Sequence, residues 1–286
     1  MQKQNYIFNK PINEIIKSRI SVRTYEPTSL EQNMKRNLND YLGTVKGPFE
    51  GKVRFKLIDC NTALNNNIKL GTYGIIKGVS SFVASATLKG DINLEELGYE
   101  LESFVLYAAS LGLGTCWMGG TFKKGEFAKA LELKEEELLP IITPIGYPAK
   151  NEGLVGTMMR RLAGSKNRKP WEEIFFDGSF DKKLAQGSAG VYSEALEMVR
   201  LAPSASNKQP WRIVKENDRL HFYLQHTRGY SSALGFDMQR IDIGISMCHL
   251  DFTLKEAGIE GVWEKSKPEI KDMNELTEYV VSWVRK

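Results

Sequence analysis

The stretch Glu96–Trp117, ELGYELESFVLYAASLGLGTCW, aligns without a gap to Asp242–Trp263, DIGISMCHLDFTLKEAGIEGVW, 146 residues further along the chain. Gly98/Gly244, Gly112/Gly258 and Trp117/Trp263 are identical, and Leu97/Ile243, Leu101/Met247, Phe104/Leu250 and Leu113/Ile259 keep apolar character. In the first copy Leu94, Leu97, Leu101, Phe104, Val105 and Ala108 recur at three- and four-residue steps. That spacing predicts a helix, capped by Asn93 and running to about Leu111, with one face in a core. A second pair, KPINEII at Lys10–Ile16 and KPWEEIF at Lys169–Phe175, matches at an offset of 159. Amphipathic helices closed by glycine also look alike from helix physics alone. The two offsets together favour a diverged tandem repeat: two copies of one α+β unit fused into an intrachain pseudo-dimer.

Working outward, Pro11 opens a short helix, and Ser29-Leu30-Glu31-Gln32 reads as a capping box before a second one. Strands are expected at Val53–Ile58, Val79–Ala86, Leu139–Gly146 and Trp211–Lys215, and helices at about Lys123–Leu131 and Ser193–Leu201. This divides the chain into a first half at residues 1–150, a basic crossover at 151–168 and a second half at 169–286.

With 286 residues, 42% hydrophobic and 26% charged, the composition is that of a globular protein and excludes a disordered or collagen-like chain. A formal net charge of +4 suits an anionic small ligand and gives no support for nucleic acid. Cys60, Cys116 and Cys248 have neither disulfide-framework nor zinc-site spacing. The N-terminal residues lack signal-peptide features, and no apolar run is long enough for a membrane span. The expectation is a cytoplasmic protein that does not engage a membrane. His221, His226 and His249 show no triad or metal spacing and read as structural or surface histidines, with no metal expected.

Four segments carry possible chemistry. In Ser18-Arg19-Ile20-Ser21-Val22-Arg23 a helix gives way to extended chain, so Arg19, Ser21 and Arg23 project to one side and can grip an anion. They read equally as dipole partners of the preceding helix. Ala202–Trp211, APSASNKQPW, is a proline-bounded polar loop that can line a ligand or simply turn the chain. Gly112–Gly120, GLGTCWMGG, lets backbone approach a flat ligand, and it lacks the third glycine of a dinucleotide fingerprint. Lys166 and Arg168 are two cations side by side, able to serve a phosphate or solvate a linker.

Together these segments resemble the nitroreductase family of FMN-dependent enzymes, through S-R-x-S-V-R, A-P-S-x-x-N-x-Q-P-W, G-L-G-T-C-W-x-G-G, a late K-x-R, and G-Y-P at Gly146–Pro148. The resemblance covers most of the chain. It implies a nitroreductase-like three-layer α+β sandwich with FMN at a subunit interface, NADH or NADPH as electron donor and a small-molecule electron acceptor such as a nitroaromatic or quinone. It also implies a ping-pong hydride transfer through flavin N5, with no side-chain catalytic acid, base or nucleophile. By this likeness Arg19, Lys166 and Arg168 bind the phosphate, Ser21 the ribityl–phosphate region and Arg23 the pyrimidine edge. Pro203, Ser204, Ala205, Ser206 and Asn207 form the partner wall, and Met118, Gly119 and Gly120 lie near the isoalloxazine.

The chain departs from the family in order. Ordinary members carry every segment in one subunit and build two equivalent sites per homodimer. Here each half holds complementary pieces, which resembles the fused, single-chain branch and implies a monomer acting as a pseudo-dimer, with one composite and one degenerate site. The same departure leaves open a flavin- or flat-ligand-binding protein without turnover, or a flavin-processing enzyme of this fold.

Overall fold

The computed structural model describes residues 8–90, 92–150, 167–230, 234–271 and 274–286. The crossover expected at 151–168 lies almost wholly outside them. The chain divides into two compact units: Met1–Lys46, Gly51–Asn93 and Glu100–Ala163 form the first, and Gly47–Glu50, Leu94–Tyr99 and Gly164–Lys286 the second. Both mix helices with a sheet, so the protein is α+β.

In the first unit α1 (Ile12–Ser18) and α2 (Gln32–Thr44) precede β1 (Val53–Asp59), α3 (Cys60–Asn65) and β2 (Ser81–Leu88). Then come α4 (Asn93–Ser110), of which Leu94–Tyr99 belong to the second unit, β3 (Gly114–Thr115), α5 (Lys124–Leu131), β4 (Glu137–Leu138) and β5 (Ile142–Gly146). The sheet runs in the order β1-β2-β5-β3, with β4 also paired to β2. All its ladders are antiparallel, from Val53↔Thr87 at one end of β1–β2 to Asp59↔Ser81 at the other. β2 is buried on both faces, which explains why its apolar residues run together instead of alternating. Phe82, Phe127, Phe122, Leu131, Ile142 and their neighbours form the core against it.

Several expected boundaries shift for physical reasons. The capping box at Ser29 does not form: α2 begins at Gln32, its N-cap is Glu31, and no side chain caps it. Nor does Asn93 cap α4, because it is the first helical residue, preceded by Ile92 in the left-handed region at φ 68°. Its side chain instead accepts from Lys52 N–H and donates to the Leu88 carbonyl. The strand expected from Leu139 starts at Ile142, after Pro140, which has no N–H to give a ladder.

The second unit contains α6 (Trp171–Ile174), β6 (Phe175–Asp177), β7 (Ser179–Lys183), α7 (Ser193–Leu201), β8 (Trp211–Glu216) and β9 (Arg219–Gln225). α8 (Met238–Glu256), β10 (Gly261–Glu264) and β11 (Thr277–Arg285) follow. Its sheet order is β10-β11-β9-β8-β6-β7, antiparallel except for β6–β8. Four of these strands, β8-β9-β11-β10, repeat the β1-β2-β5-β3 order of the first unit. α1 and α6 are each entered from a proline, Pro11 and Pro170, in similar extended conformations.

α8 is buried on every side. Leu94–Tyr99, also in this unit, crosses it at two glycines. A Cβ on Gly98 would lie 2.1 Å from the Ile241 carbonyl oxygen, and one on Gly244 would lie 1.8 Å from that of Glu95. Glu95 and Ile241 stand at the same 146-residue offset as Gly98 and Gly244, so the contact is reciprocal, as in an isologous interface. α4 and α8 also end alike. Leu113 N–H bonds the Ala108 carbonyl, Ile259 N–H bonds that of Leu254, and Gly112 and Gly258 take φ near +79° and +72°.

Candidate functional site

Two clusters, one in each unit, collect the residues singled out from the sequence. In the first, Arg19 caps the end of α1 and the chain then runs extended. Ser21 bridges Thr115, and Val22 N–H donates to the Thr115 carbonyl at 2.8 Å. Thr24 bridges Lys77 and Tyr25 bridges Pro148, so the segment is laid along the sheet. Along it Arg19, Ser21 and Arg23 are half-buried, Ile20 is exposed and Val22 is buried. Packing of this strand accounts for one glycine of the loop, because a Cβ on Gly114 would lie 2.8 Å from the Val22 side chain.

The Arg19 side chain is only 8% exposed. Its Nε lies 3.8 Å from Oε1 of Glu102 but makes no hydrogen bond, and Nη1 of Arg23 is likewise buried without one. Glu102, fully buried, accepts from Nε1 of Trp117 at 2.8 Å. Burial pushes the Cys116 thiol up, against the pull of Arg23, a Ser21 hydrogen bond and Arg19, so the thiol stays protonated at neutral pH. Two guanidinium groups with orphaned, buried N–H donors beside a hydroxyl form an anion-binding arrangement.

Of the glycine-rich loop, Gly112 completes the end of α4 and Gly114 admits Val22. The Met118 N–H donates to the Ile142 carbonyl, and the Met118 carbonyl accepts from Ile142 N–H, so that residue's backbone is committed to the sheet and its side chain to the core. Gly119, half-buried, and Gly120, exposed, are the members free to meet a ligand closely.

In the second unit the loop after α7 is strained. Ser206, Asn207 and Gln209 take φ of 49°, 53° and 48°, a region that costs most non-glycine residues about 1–3 kcal/mol. The surrounding groups hold it there. Arg168 donates from Nη1 to Asn207 Oδ1 at 2.5 Å and from Nη2 to the Leu201 carbonyl at 2.9 Å. Asn207 Nδ2 reaches the Asn167 carbonyl, and Gln209 N–H donates to Ser204 Oγ. Tyr230 donates to Ser206 Oγ at 2.9 Å. Ala205 N–H donates to Oδ1 of Asp242, whose Oδ2 is buried and unpartnered. Burial pushes the Asp242 carboxyl well above the usual carboxylate range; the Ala205 N–H pulls the other way and Asp237 adds to the rise. Pro203, Ser204 and Ala205 therefore sit on a scaffold that spends much of the Arg168 guanidinium on shaping the loop. Lys166 lies outside the described residues.

Sequence reasoning missed Glu102, Asp242 and Tyr230 as parts of these clusters. For one of them a signal existed: Asp242 interrupts the apolar run of Ile241 and Ile243. A lone carboxylate in such a run is either paired or neutral. His221 and His249 are buried against Ser282 Oγ and the Met198 carbonyl, and burial lowers the His221 pKa. Among the described residues no helix is long and apolar enough to cross a membrane, and no group of three or more His, Cys, Asp or Glu side chains is arranged to hold a metal.

The fold is α+β, and the first unit gathers two buried guanidinium groups on the segment that carries Ser21. The chain belongs to the family described as "Putative TM nitroreductase", whose model matches residues 11–254, and by class it is an oxidoreductase. Among solved structures it is similar to a "putative nitroreductase" from Thermotoga maritima at 20% identity and a TM-score of 0.63, covering 99% of this chain and 98% of that one. A nitroreductase from Bacteroides fragilis, described with bound FMN, matches at 18% identity and a TM-score of 0.40, over 51% of this chain and 92% of its own. An FMN-dependent nitroreductase from Clostridium difficile matches at 17% and 0.39, over 51% and 94%. No curated protein matches the chain.

Proposed function

We propose that this protein is an FMN-dependent NAD(P)H oxidoreductase that reduces nitroaromatic or quinone-like electrophiles by a ping-pong mechanism. The observation that carries the reading is the pair of buried guanidinium donors without a hydrogen bond, Arg19 Nε, which has only the 3.8 Å ion pair with Glu102, and Arg23 Nη1, on the segment that carries Ser21. Leaving such groups unsatisfied costs about 1–3 kcal/mol each, more for charged ones, and a bound anion removes that cost. We assign Arg19 and Ser21 to the phosphate and ribityl end and Arg23 to the pyrimidine edge, with Met118, Gly119 and Gly120 beside the ring. In the second unit we assign Pro203, Ser204, Ala205, Ser206 and Asn207 to flavin contact, with Arg168 fixing their shape. Lys166 remains assigned to the phosphate.

When bound, FMN supplies the acceptance and donation of hydride. The protein's part is positioning and electrostatics. A fixed arginine at the pyrimidine edge stabilises negative charge developing there without reorganising. Glu102 sets the Arg19 guanidinium in place through their 3.8 Å contact and is itself anchored by Trp117. We further propose that residues 1–150 and 169–286 are diverged copies and that the active species is a monomer. The shared four-strand order and the reciprocal Gly98/Gly244 contact support this reading.

Fluorescence titration with FMN tests the assignments. Arg19→Ala and Asn207→Ala, 188 positions apart, should each weaken FMN by about tenfold or more, the scale of one lost charge-assisted hydrogen bond. Thermal melts of the same samples separate loss of binding from loss of fold. If wild-type protein fails to bind FMN, the function is wrong; if only Arg19→Ala matters, the second-unit assignments are wrong. Light scattering should give a mass near 32.3 kDa, and an obligate dimer would refute the monomer proposal.

A further inference from the structure

In the first unit a surface cavity of about 610 Å³ opens where α2 and α3 meet β1 and the end of α5. Its volume is that of a small-molecule pocket. α2 presents Gln32, Lys35, Arg36 and Asn39 to it, the i, i+3, i+4, i+7 stripe of one helix face. Lys56 and Lys129 join from β1 and α5, giving four cations in the lining against two carboxylates, Asp59 and Glu132. Both carboxylates are already engaged: Asp59 with Lys35 and Glu132 with Lys56, each at 2.6 Å. Asp59 also caps α3. The lining therefore carries a net formal charge of +2.

Arg36 is exposed and makes no ion pair with a described residue, and Lys129 has only the weak Glu126 contact at 3.4 Å. Ser81 also lines the cavity; it is fully buried and its hydroxyl has no hydrogen-bond partner. An orphaned buried hydroxyl beneath a cationic rim is a second, independent sign that a polar ligand belongs there. The floor is apolar, with Ile58 and Ala63 buried beneath it.

We propose that this cavity binds a phosphate monoester with a compact organic body, at a site separate from the one assigned to flavin. A phosphate monoester carries between one and a half and two negative charges at neutral pH, roughly what the lining leaves uncompensated, and it offers three acceptor oxygens. The Arg36 fork and the Lys129 ammonium meet the phosphate, Ser81 hydroxyl donates to a polar atom of the ligand, and the apolar floor takes its body. Bare inorganic phosphate uses only the rim and binds more weakly.

The test is calorimetric titration of the full chain with adenosine 5′-monophosphate, ribose 5-phosphate, inorganic phosphate and adenosine, in flavin-free and FMN-saturated protein. The monophosphate should bind, adenosine should bind at least about tenfold more weakly, and FMN should not compete. Arg36→Glu and Lys129→Glu, both on exposed side chains, should each weaken the monophosphate by about tenfold and leave FMN affinity unchanged. Ser81→Ala should weaken it further still in either background. The proposal is overturned if no phosphate ester binds, if adenosine binds as well as its monophosphate, if both charge reversals are silent, or if one bound equivalent of FMN abolishes binding of the monophosphate. Failure of the flavin reading would register separately, as absence of FMN binding in the same samples.

Discussion

Replacing Gly244 by alanine probes the helix crossing on which the second unit is built. An ideal Cβ at this position would lie 1.8 Å from the Glu95 carbonyl oxygen and 2.7 Å from the Tyr99 nitrogen, where real contacts stay above 3.0 Å. The backbones must part by more than an ångström, and since both obstacles are main-chain atoms no rotamer change relieves them. Overpacking of this kind costs about 1–3 kcal/mol, with a forced backbone shift at the upper end or beyond. Alanine recovers up to about 1 kcal/mol of helix propensity. A net loss of about 2–3 kcal/mol follows, or a drop of about 3–5 °C in Tm for a chain of this size. Gly43, near the end of α2 with nothing within 4 Å of its Cβ, is the control, and Gly43→Ala should be neutral or stabilising by up to about 1 kcal/mol. Because Gly98 makes the reciprocal contact, Gly98→Ala should also destabilise, and the double variant should lose less than the two losses combined, since one separation admits both methyl groups. Urea denaturation followed by circular dichroism reads all four. Gly244→Ala as stable as wild type, or full additivity in the double variant, would refute the close reciprocal crossing.

The Arg54–Glu137 pair should produce a distinct acid dependence. Its two hydrogen bonds of 2.7 and 2.6 Å, with help from Lys134 N–H, push the Glu137 pKa down to about 2. The folded value lies below the unfolded one, so this stabilisation is complete above pH 4.5 and fades as pH falls toward 2. Glu137→Gln should therefore cost about 1–2 kcal/mol at neutral pH, after discounting for the partly exposed Arg54, and progressively less below about pH 4.5 in urea melts. Asp242 should behave in the opposite sense. Its folded pKa is raised, so the native state holds the extra proton and stability declines as pH rises above the unfolded value. Asp242→Asn keeps an acceptor for Ala205 N–H and should flatten that decline, making the variant at least as stable as wild type at pH 8.

The long helices were legible because their signal is periodic and local. Gly98 and Gly244 stood out as identities in the alignment, although only the fold reveals that each admits the other's backbone. Starts of elements were less legible: Ser29 and Asn93 have the chemistry of caps, yet Asn93 is drawn off by Lys52 and Leu88, partners 41 and 5 residues away. Arg19, Ser21 and Arg23 could be grouped from extended-chain alternation alone. The restraint of Asn207 by Arg168 could not, since nothing local marks three left-handed residues in a loop that contains no glycine. The paired backbone bonds of Met118 and Ile142 were not legible either, since the partners lie 24 residues apart.

Anaerobic titration of the FMN-loaded protein with NADH or NADPH tests the central claim most directly. One of the two donors should bleach the visible flavin absorbance in a one-to-one titration, and a quinone or nitroaromatic should restore it. Flavin that binds but stays oxidised under excess of both donors, with dithionite still able to reduce it, would contradict that claim.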